Sequence, residues 1–468
     1  MEQTEFDIDF VDVSAETGVN KKTGEHGTFG VMWADLNNDG WLDLIFANHV
    51  DLPSLHINQS ADHFIDHSQE SGLRTEYTYP GQEDRHGIAS GDYDNDGNTD
   101  LFIAHGGNRG ETLGVKYDEL LRNQGNLTFV EVSHQARVLN CWGRARTPTW
   151  VDFDNDGWLD LYIGNRKTPN VLYKNNNGTF TDVTERAGLE THEGQQQAWA
   201  DYNQDGWTDV LIIAPVQLYR NNGDETFTEV TRQAGLSPYY PGGPRAVAWG
   251  DYNNDGYVDL FITSTRRMGQ NTLYKNNGDG TFEQVLGLFG PGIDEDGMGV
   301  AWADMDNDGD LDLLVVGTKR MRFFENIGGR LVKRSLNGLS MKPGYRGDVA
   351  FGDYDNDGFL DLAISTSERQ FLFKNMGNDN NWLTITFEGT ASNRQGLGAK
   401  VWIRTDTDKL IFREYQGGTG TLFCTGCPPL HVGLGKAHSA SLRIRWPSGV
   451  EQTLEDVIPN QIVEIKEP

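Results

Sequence analysis

Apolar and polar positions alternate over short stretches of this chain, as in Phe10-Val-Asp12-Val, Phe180-Thr-Asp182-Val and Phe227-Thr-Glu-Val. That is the period of a strand with one buried face. These stretches belong to a longer unit that predicts four strands. The first ends in Ala198-Trp199-Ala200, the second is Leu159-Asp-Leu-Tyr-Ile163, and the third is Val171-Leu-Tyr-Lys. A turn such as Asn276-Asn-Gly-Asp-Gly280 leads to a fourth, Thr281-Phe-Glu-Gln-Val. Four short strands repeated about every 50 residues make one propeller blade. After Gln370-Phe-Leu-Phe-Lys-Asn375 no fourth strand follows, and an extra one stands at the N-terminus. The prediction is an all-β chain: a seven-bladed β-propeller over residues 1–377, closed by the N-terminal strand, and a small C-terminal β domain over 378–468.

The first and second strands of each unit are joined by a nine-residue acidic loop, repeated seven times at spacings of 57, 60, 49, 50, 53 and 49 residues. Positions 1, 3, 5 and 9 carry oxygen side chains and position 6 is glycine. The sets are Asp35, Asn37, Asp39 and Asp43; Asp92, Asp94, Asp96 and Asp100; Asp152, Asp154, Asp156 and Asp160; Asp201, Asn203, Asp205 and Asp209; Asp251, Asn253, Asp255 and Asp259; Asp304, Asp306, Asp308 and Asp312; Asp353, Asp355, Asp357 and Asp361. A hard cation such as calcium takes six to eight oxygens from a flexible loop, and glycine permits the bend that lets alternate residues converge. Up to seven calcium ions, mainly structural, are expected. Position 12 is apolar, which excludes an EF-hand. Asn37, Asn203 and Asn253 leave three sites with one charge less.

A net charge of −30 over 468 residues looks extreme. The loops hold most of it, so the acidity is metal chemistry and excludes nucleic acid as a partner. No stretch has the length of a membrane-spanning helix. An acidic N-terminus is unlike a secretory signal; the expectation is a cytoplasmic protein if Met1 is the native start, and a secreted one if a signal peptide has been removed. Cys141, Cys424 and Cys427 are too few for a disulfide scaffold. Cys424-Thr-Gly-Cys427 reads as a redox or metal pair or, more simply, as a turn.

Phe-Gly or Trp-Ala before the loops and Leu-Tyr-x-Asn-Asn-Gly after them resemble FG-GAP or VCBS repeats. Asn393-Arg-Gln-Gly-Leu-Gly398, His431-Val-Gly-Leu-Gly435 and Arg445-Trp446-Pro-Ser-Gly449 resemble the ASPIC/UnbV domain. This pairing covers almost the whole chain and is similar to the cartilage acidic protein family. The resemblance implies calcium at each loop and, from relatives encoded among biosynthesis genes, a part in ring-forming reactions. Leu422-Phe-Cys424-Thr-Gly-Cys427-Pro-Pro departs from the more polar stretch usual there.

On the face opposite the loops, the residue six places before each loop should rim the channel: Phe29, His86, Arg146, Gln195, Arg245, Met298 and Gly347, with Arg85, Arg144 and Arg346 adjacent. Two functions follow. One is a biosynthetic enzyme that folds and cyclises a polyene or polyketide-like substrate. In it Arg146, Arg245 and Arg346 hold an anionic or carbonyl group, His86 moves a proton, and Phe29, Gln195, Met298, Tyr239 and Tyr240 shape the chain. The other is a non-catalytic extracellular module that binds a glycan or a protein. No nucleophile or phosphate-loop motif is present.

Overall fold

The computed structural model describes residues 8–22, 27–49, 51–73, 85–106, 117–191, 194, 196–240, 243–264, 271–286, 297–317, 319–336, 338–339, 347–416 and 424–468. Among them are seven four-stranded antiparallel sheets, the blades. Their first strands are Thr28–Ala34, Arg85–Gly91, Ala145–Val151, Gln196–Ala200, Pro244–Gly250, Gly297–Ala303 and Asp348–Gly352, and define blades 1 to 7. The first strands of successive blades touch in order, and that of blade 7 touches that of blade 1. Most positions on them are buried, because a neighbouring blade covers each face. Alternation survives only on the outer strands. The outer strand of blade 7 is Phe10–Asp12, antiparallel to Gln370–Asn375, with Phe10 opposite Asn375.

The N-terminal segment is strand for three residues only. At Val13 it turns into the helix Ser14–Thr17, because the Asp12 carboxylate accepts from the Ser14 N–H at 3.0 Å and Gly18 takes a left-handed φ of 89°. The same turn recurs at Ser133–Ala136 and Thr184–Ala187. Asp12 and Asp182 therefore act as turn formers.

The C-terminal domain packs two sheets around a common core that buries Trp446. One joins Leu430–Gly435, Asn381–Glu388 and Gln461–Lys466, the last two parallel; the other joins Leu410–Glu414, Lys400–Thr405, Ala440–Arg445 and Glu451–Val457. This sandwich sits on the acidic-loop face of the propeller, where Trp382 lies against Gly358 so closely that a β-carbon there would stand 1.7 Å from its indole. Among the described residues no helix is long and apolar enough to cross a membrane.

Candidate functional site

In each acidic loop the backbone gathers the carboxylates. Asp92 accepts from the N–H groups of Asp96 and Gly97, and Asp100 accepts from those of Tyr93 and Asn123, at 2.7 to 3.2 Å. Four loops bring three carboxylate oxygens within 4.8 Å of one another and could hold a metal ion: Asp92, Asp94 and Asp96; Asp152, Asp154 and Asp160; Asp304, Asp306 and Asp308; Asp353, Asp355 and Asp357. In these four loops Asp94, Asp154, Asp304 and Asp355 each keep one buried oxygen with no hydrogen-bond partner among the described residues. An all-oxygen donor set with orphaned carboxylate oxygens fits a hard divalent cation. Burial pushes Asp43 up to about 8 and Asp100 and Asp259 up to about 9, and drives Asp160, Asp209, Asp312 and Asp361 well above the usual carboxylate range. Such a cluster calls for protons or a cation. In the remaining loops the Asn37, Asn203 and Asn253 amides donate to Asp39, Asp205 and Asp255 at 2.8 to 3.0 Å.

Two rings of amides join the blades, and the sequence reading missed both. The residue at position 4 has a left-handed φ of 54° to 58° in every loop. Its side-chain amide donates to the position-6 glycine carbonyl of the next loop: Asn38 to Gly97, Asn95 to Gly157, Asn155 to Gly206, Gln204 to Gly256, Asn254 to Gly309, Asn307 to Gly358, and Asn356 back to Gly40. An asparagine at or near the end of each third strand runs the other way. Asn58 bonds the Tyr354 carbonyl of blade 7, Asn123 that of Leu36, Asn175 that of Tyr93, and so on to Asn375 and Met305. The recurrent Asn at position 4 was the available signal.

Protein cations stand beside six of the loops. Arg122 approaches Asp94 at 3.7 Å, Lys174 pairs with Asp154, Lys275 lies 3.4 Å from Asp255, and Lys374 pairs with Asp355. The C-terminal domain supplies the others: Lys400 lies 2.8 Å from Asp201, both buried, and Lys409 lies 2.7 Å from Asp310 beside the sixth loop. That domain also reads loop backbone, since Glu414 accepts from the Asp201 N–H and Arg413 donates to the Gly309 carbonyl. Burial pushes Glu414 up to about 7 against the pull of Lys400.

Between the loop-side half of the channel and the C-terminal domain lies a cavity of about 760 Å³. Blades 4 to 6 give it an aromatic wall of Trp199, Trp249 and Trp302; Thr147, Thr149 and Gln197 add polar groups, and Phe387, Arg413 and Glu414 close it from above. One side is a strap, Cys424–Pro429. Thr425 hydrogen-bonds the backbone of Ile88 and Ser90 at 2.9 and 3.0 Å, Cys424 is fully buried beside Gly30, and Cys427 Sγ donates to the Ser90 carbonyl. The other blades carry Trp or Phe two places before the loop; blade 2 has Ser90. The missing ring is the slot that the strap fills, so Cys424-Thr-Gly-Cys427 is a channel element and not an incidental turn.

The predicted rim on the opposite face is assembled in part. Gln195 and Arg346 lie outside the described residues. Phe29, His86, Arg146, Arg245 and Met298 all fall where the first strand slips register against the second. Each is part of a β-bulge, which re-aims side chains, and counting in twos along a regular strand could not show it. Phe29 packs on His86 and His49 at ring separations of 4.3 and 4.6 Å. Arg146 and His86 meet over Gly106, where a β-carbon would stand 1.8 Å from the guanidinium. Met298 is buried, as are Phe29, His86 and Arg146; Tyr240 belongs to the hydrophobic core of blades 4 and 5, and Tyr239 is 76% exposed. Arg85 is a buried partner of Glu119.

Fold and loops together define a β-propeller with metal-type acidic loops beneath a β-sandwich. Residues 35–364 match the FG-GAP-like repeat in six overlapping or adjoining stretches (35–103, 92–163, 152–212, 213–262, 251–315 and 304–364), and residues 389–468 match ASPIC and UnbV. The chain belongs to the FG-GAP-like repeat family with a C-terminal ASPIC and UnbV domain. It is 26% identical over 172 residues to cartilage acidic protein 1 of Mus musculus, a match covering 36% of this chain and 26% of that protein. The chain thus spans about a quarter of the length of the curated relatives it matches. Similar solved structures include an Agrocybe aegerita lectin specific for non-reducing terminal N-acetylglucosamine (19% identity, TM-score 0.44, 67% of this chain and 81% of that chain) and YCF48 bound to D1 peptide (8% identity, TM-score 0.47, 81% and 98%).

Proposed function

We propose that this protein is a calcium-stabilised propeller that encloses a small organic molecule in the chamber beneath its C-terminal domain and promotes its cyclisation. The observation that carries the reading is the cavity itself. Its volume falls within the roughly 300 to 1,000 Å³ of small-molecule sites, and its wall is aromatic with a few convergent polar groups. Enclosure favours chemistry that needs a flexible substrate held in one folded shape. Calcium in the loops would be held by the position 1, 3, 5 and 9 side chains and would fix the chamber floor. Trp199, Trp249 and Trp302 would orient the substrate, and the sandwich above would reduce its access to water.

The test is a metabolite comparison in source cells lacking the gene and complemented with wild type or with Val247→Trp, which fills the chamber. The expected result is an uncyclised precursor that accumulates without the gene and with Val247→Trp, and disappears with wild type. Full rescue by Val247→Trp would move the chemistry elsewhere. Identical profiles with and without the gene would favour a purely binding role.

A further inference from the structure

Resting on the chamber reading, we propose that the ligand is an uncharged, hydroxyl-bearing amphipathic molecule, with its hydrocarbon body on Trp199, Val247, Trp249 and Trp302 and its hydroxyl at Thr149 and Gln197. The wall divides by blade. Trp199 and the inner faces of blades 5 and 6 offer aromatic and aliphatic surface, each side chain buried but for a few per cent that faces the cavity. The polar strip comes from blade 3 and the start of blade 4.

Hydrogen bonding in that strip defines what it can take. Gln197 donates through its amide nitrogen to the Thr147 carbonyl and to Thr149 Oγ1, both at 2.9 Å. Among the described residues its carbonyl oxygen has no hydrogen-bond partner, although the residue is more than nine-tenths buried. Thr149 accepts one bond and keeps its hydroxyl proton to give. The pair therefore offers one acceptor and one donor about a side chain apart. A hydroxyl group, which both gives and receives, satisfies the two together; a carboxylate has no proton for Gln197, and an ammonium has no lone pair for Thr149.

The charges lining the chamber point the same way. Among the described residues lining it, Asp35, Asp304, Asp353, Glu414 and Glu464 contribute carboxylates against one cation, Arg413. Arg413 is bound to the Gly309 carbonyl and lies 3.9 Å from Asp304. His431 is held to Asn307 at 2.6 Å, and burial beside Arg413 depresses it to about 3, so it is neutral. An anionic ligand would meet net negative charge with no cation to spare. A cationic one would meet aspartates committed to their loops and a Glu414 whose charge Lys400 opposes and one of whose oxygens accepts from the Asp201 N–H.

The test uses the full chain in calcium and Nile red, a neutral dye whose emission shifts in apolar surroundings. Nile red is displaced with 1-dodecanol, dodecanoate or dodecylammonium. The alcohol is expected to compete at about tenfold lower concentration than either ion. Gln197→Leu should weaken the alcohol about tenfold, the size of one well-made hydrogen bond in a buried site, and change Nile red binding by less than twofold. Equal or tighter competition by dodecanoate or dodecylammonium overturns the proposal on wild type alone, whether or not the variant folds. Unchanged alcohol affinity in a folded Gln197→Leu overturns it as well. If wild type fails to bind Nile red, or Val247→Trp binds it as tightly as wild type does, the chamber reading falls, and the hydroxyl proposal falls with it.

Discussion

Asn356 donates its side-chain amide to the carbonyl of Gly40 at 3.2 Å, across 316 residues of chain. The contact is the last in a circle of seven, and the buried asparagines of the third strands make a second circle in the opposite sense. Asn356 is only half-buried and should contribute about 1 kcal/mol. Asn375 is fully buried and serves the Met305 and Leu360 carbonyls. Asn375→Ala is therefore expected to cost roughly 2 to 4 kcal/mol by orphaning both, and Asn356→Ala far less. Urea unfolding of the two variants checks the order; equal losses would mean that burial does not govern the rings.

Without metal, stability should fall as pH rises. The position-9 aspartates titrate at about 8 to 9 in Asp43, Asp100 and Asp259, above the ordinary value of 3.8. The folded state then binds protons that the unfolded state has released, so this stabilisation is complete below about pH 4 and is lost as pH climbs through about 9. In chelator the melting temperature is expected to drop between pH 5 and 8.5. In excess calcium the cation replaces the proton and the slope should flatten. A level profile in chelator would show that the loop acids are not strained.

Lys400 and a metal ion both draw on Asp201. Lys400→Met leaves a buried carboxylate without its cation, a loss of about 3 kcal/mol for a pair of this kind. The loss should be larger in chelator than in calcium, read from melts in the two conditions. The same loss in both would mean that the fourth loop takes no ion.

Ser90→Trp puts into blade 2 the ring that the other blades carry at that position and should expel the strap. In wild type Cys424 and Cys427 are packed in the channel, and burial raises both thiols, Cys427 to about 12. Only Cys141 is expected to react promptly with a thiol reagent. Three prompt thiols are expected in Ser90→Trp; one would show that the strap holds its place by other contacts.

The repeat of acidic loops made the blades legible, since seven copies in register fix where strands begin. The Phe10 strand was legible because blade 7 lacked an edge. Side-chain amide rings escaped notice because Asn at position 4 reads as ordinary turn chemistry until the neighbouring loop is placed beside it. At the rim, counting along regular strands places Phe29, Arg146 and Met298, and bulges break that count. The chamber could not be read because its roof, Arg413 and Glu414, comes from a domain whose docking face no periodicity reveals. Ser90, where a tryptophan was due, was the one visible trace of the strap.

The chain's seam and its circles lie at different radii. The two ends of the propeller meet on the outermost strand of blade 7, where Phe10 to Asp12 pair with Phe373 to Asn375, whereas the position-4 amides run from loop to loop on the face of the disc. Pulling on the N-terminus in a force experiment would therefore unzip a three-residue edge first and leave the circle intact. The molecule has a weak point in its thread and none in its rim, so a circular permutant cut between two other blades should keep the same loop face and chamber.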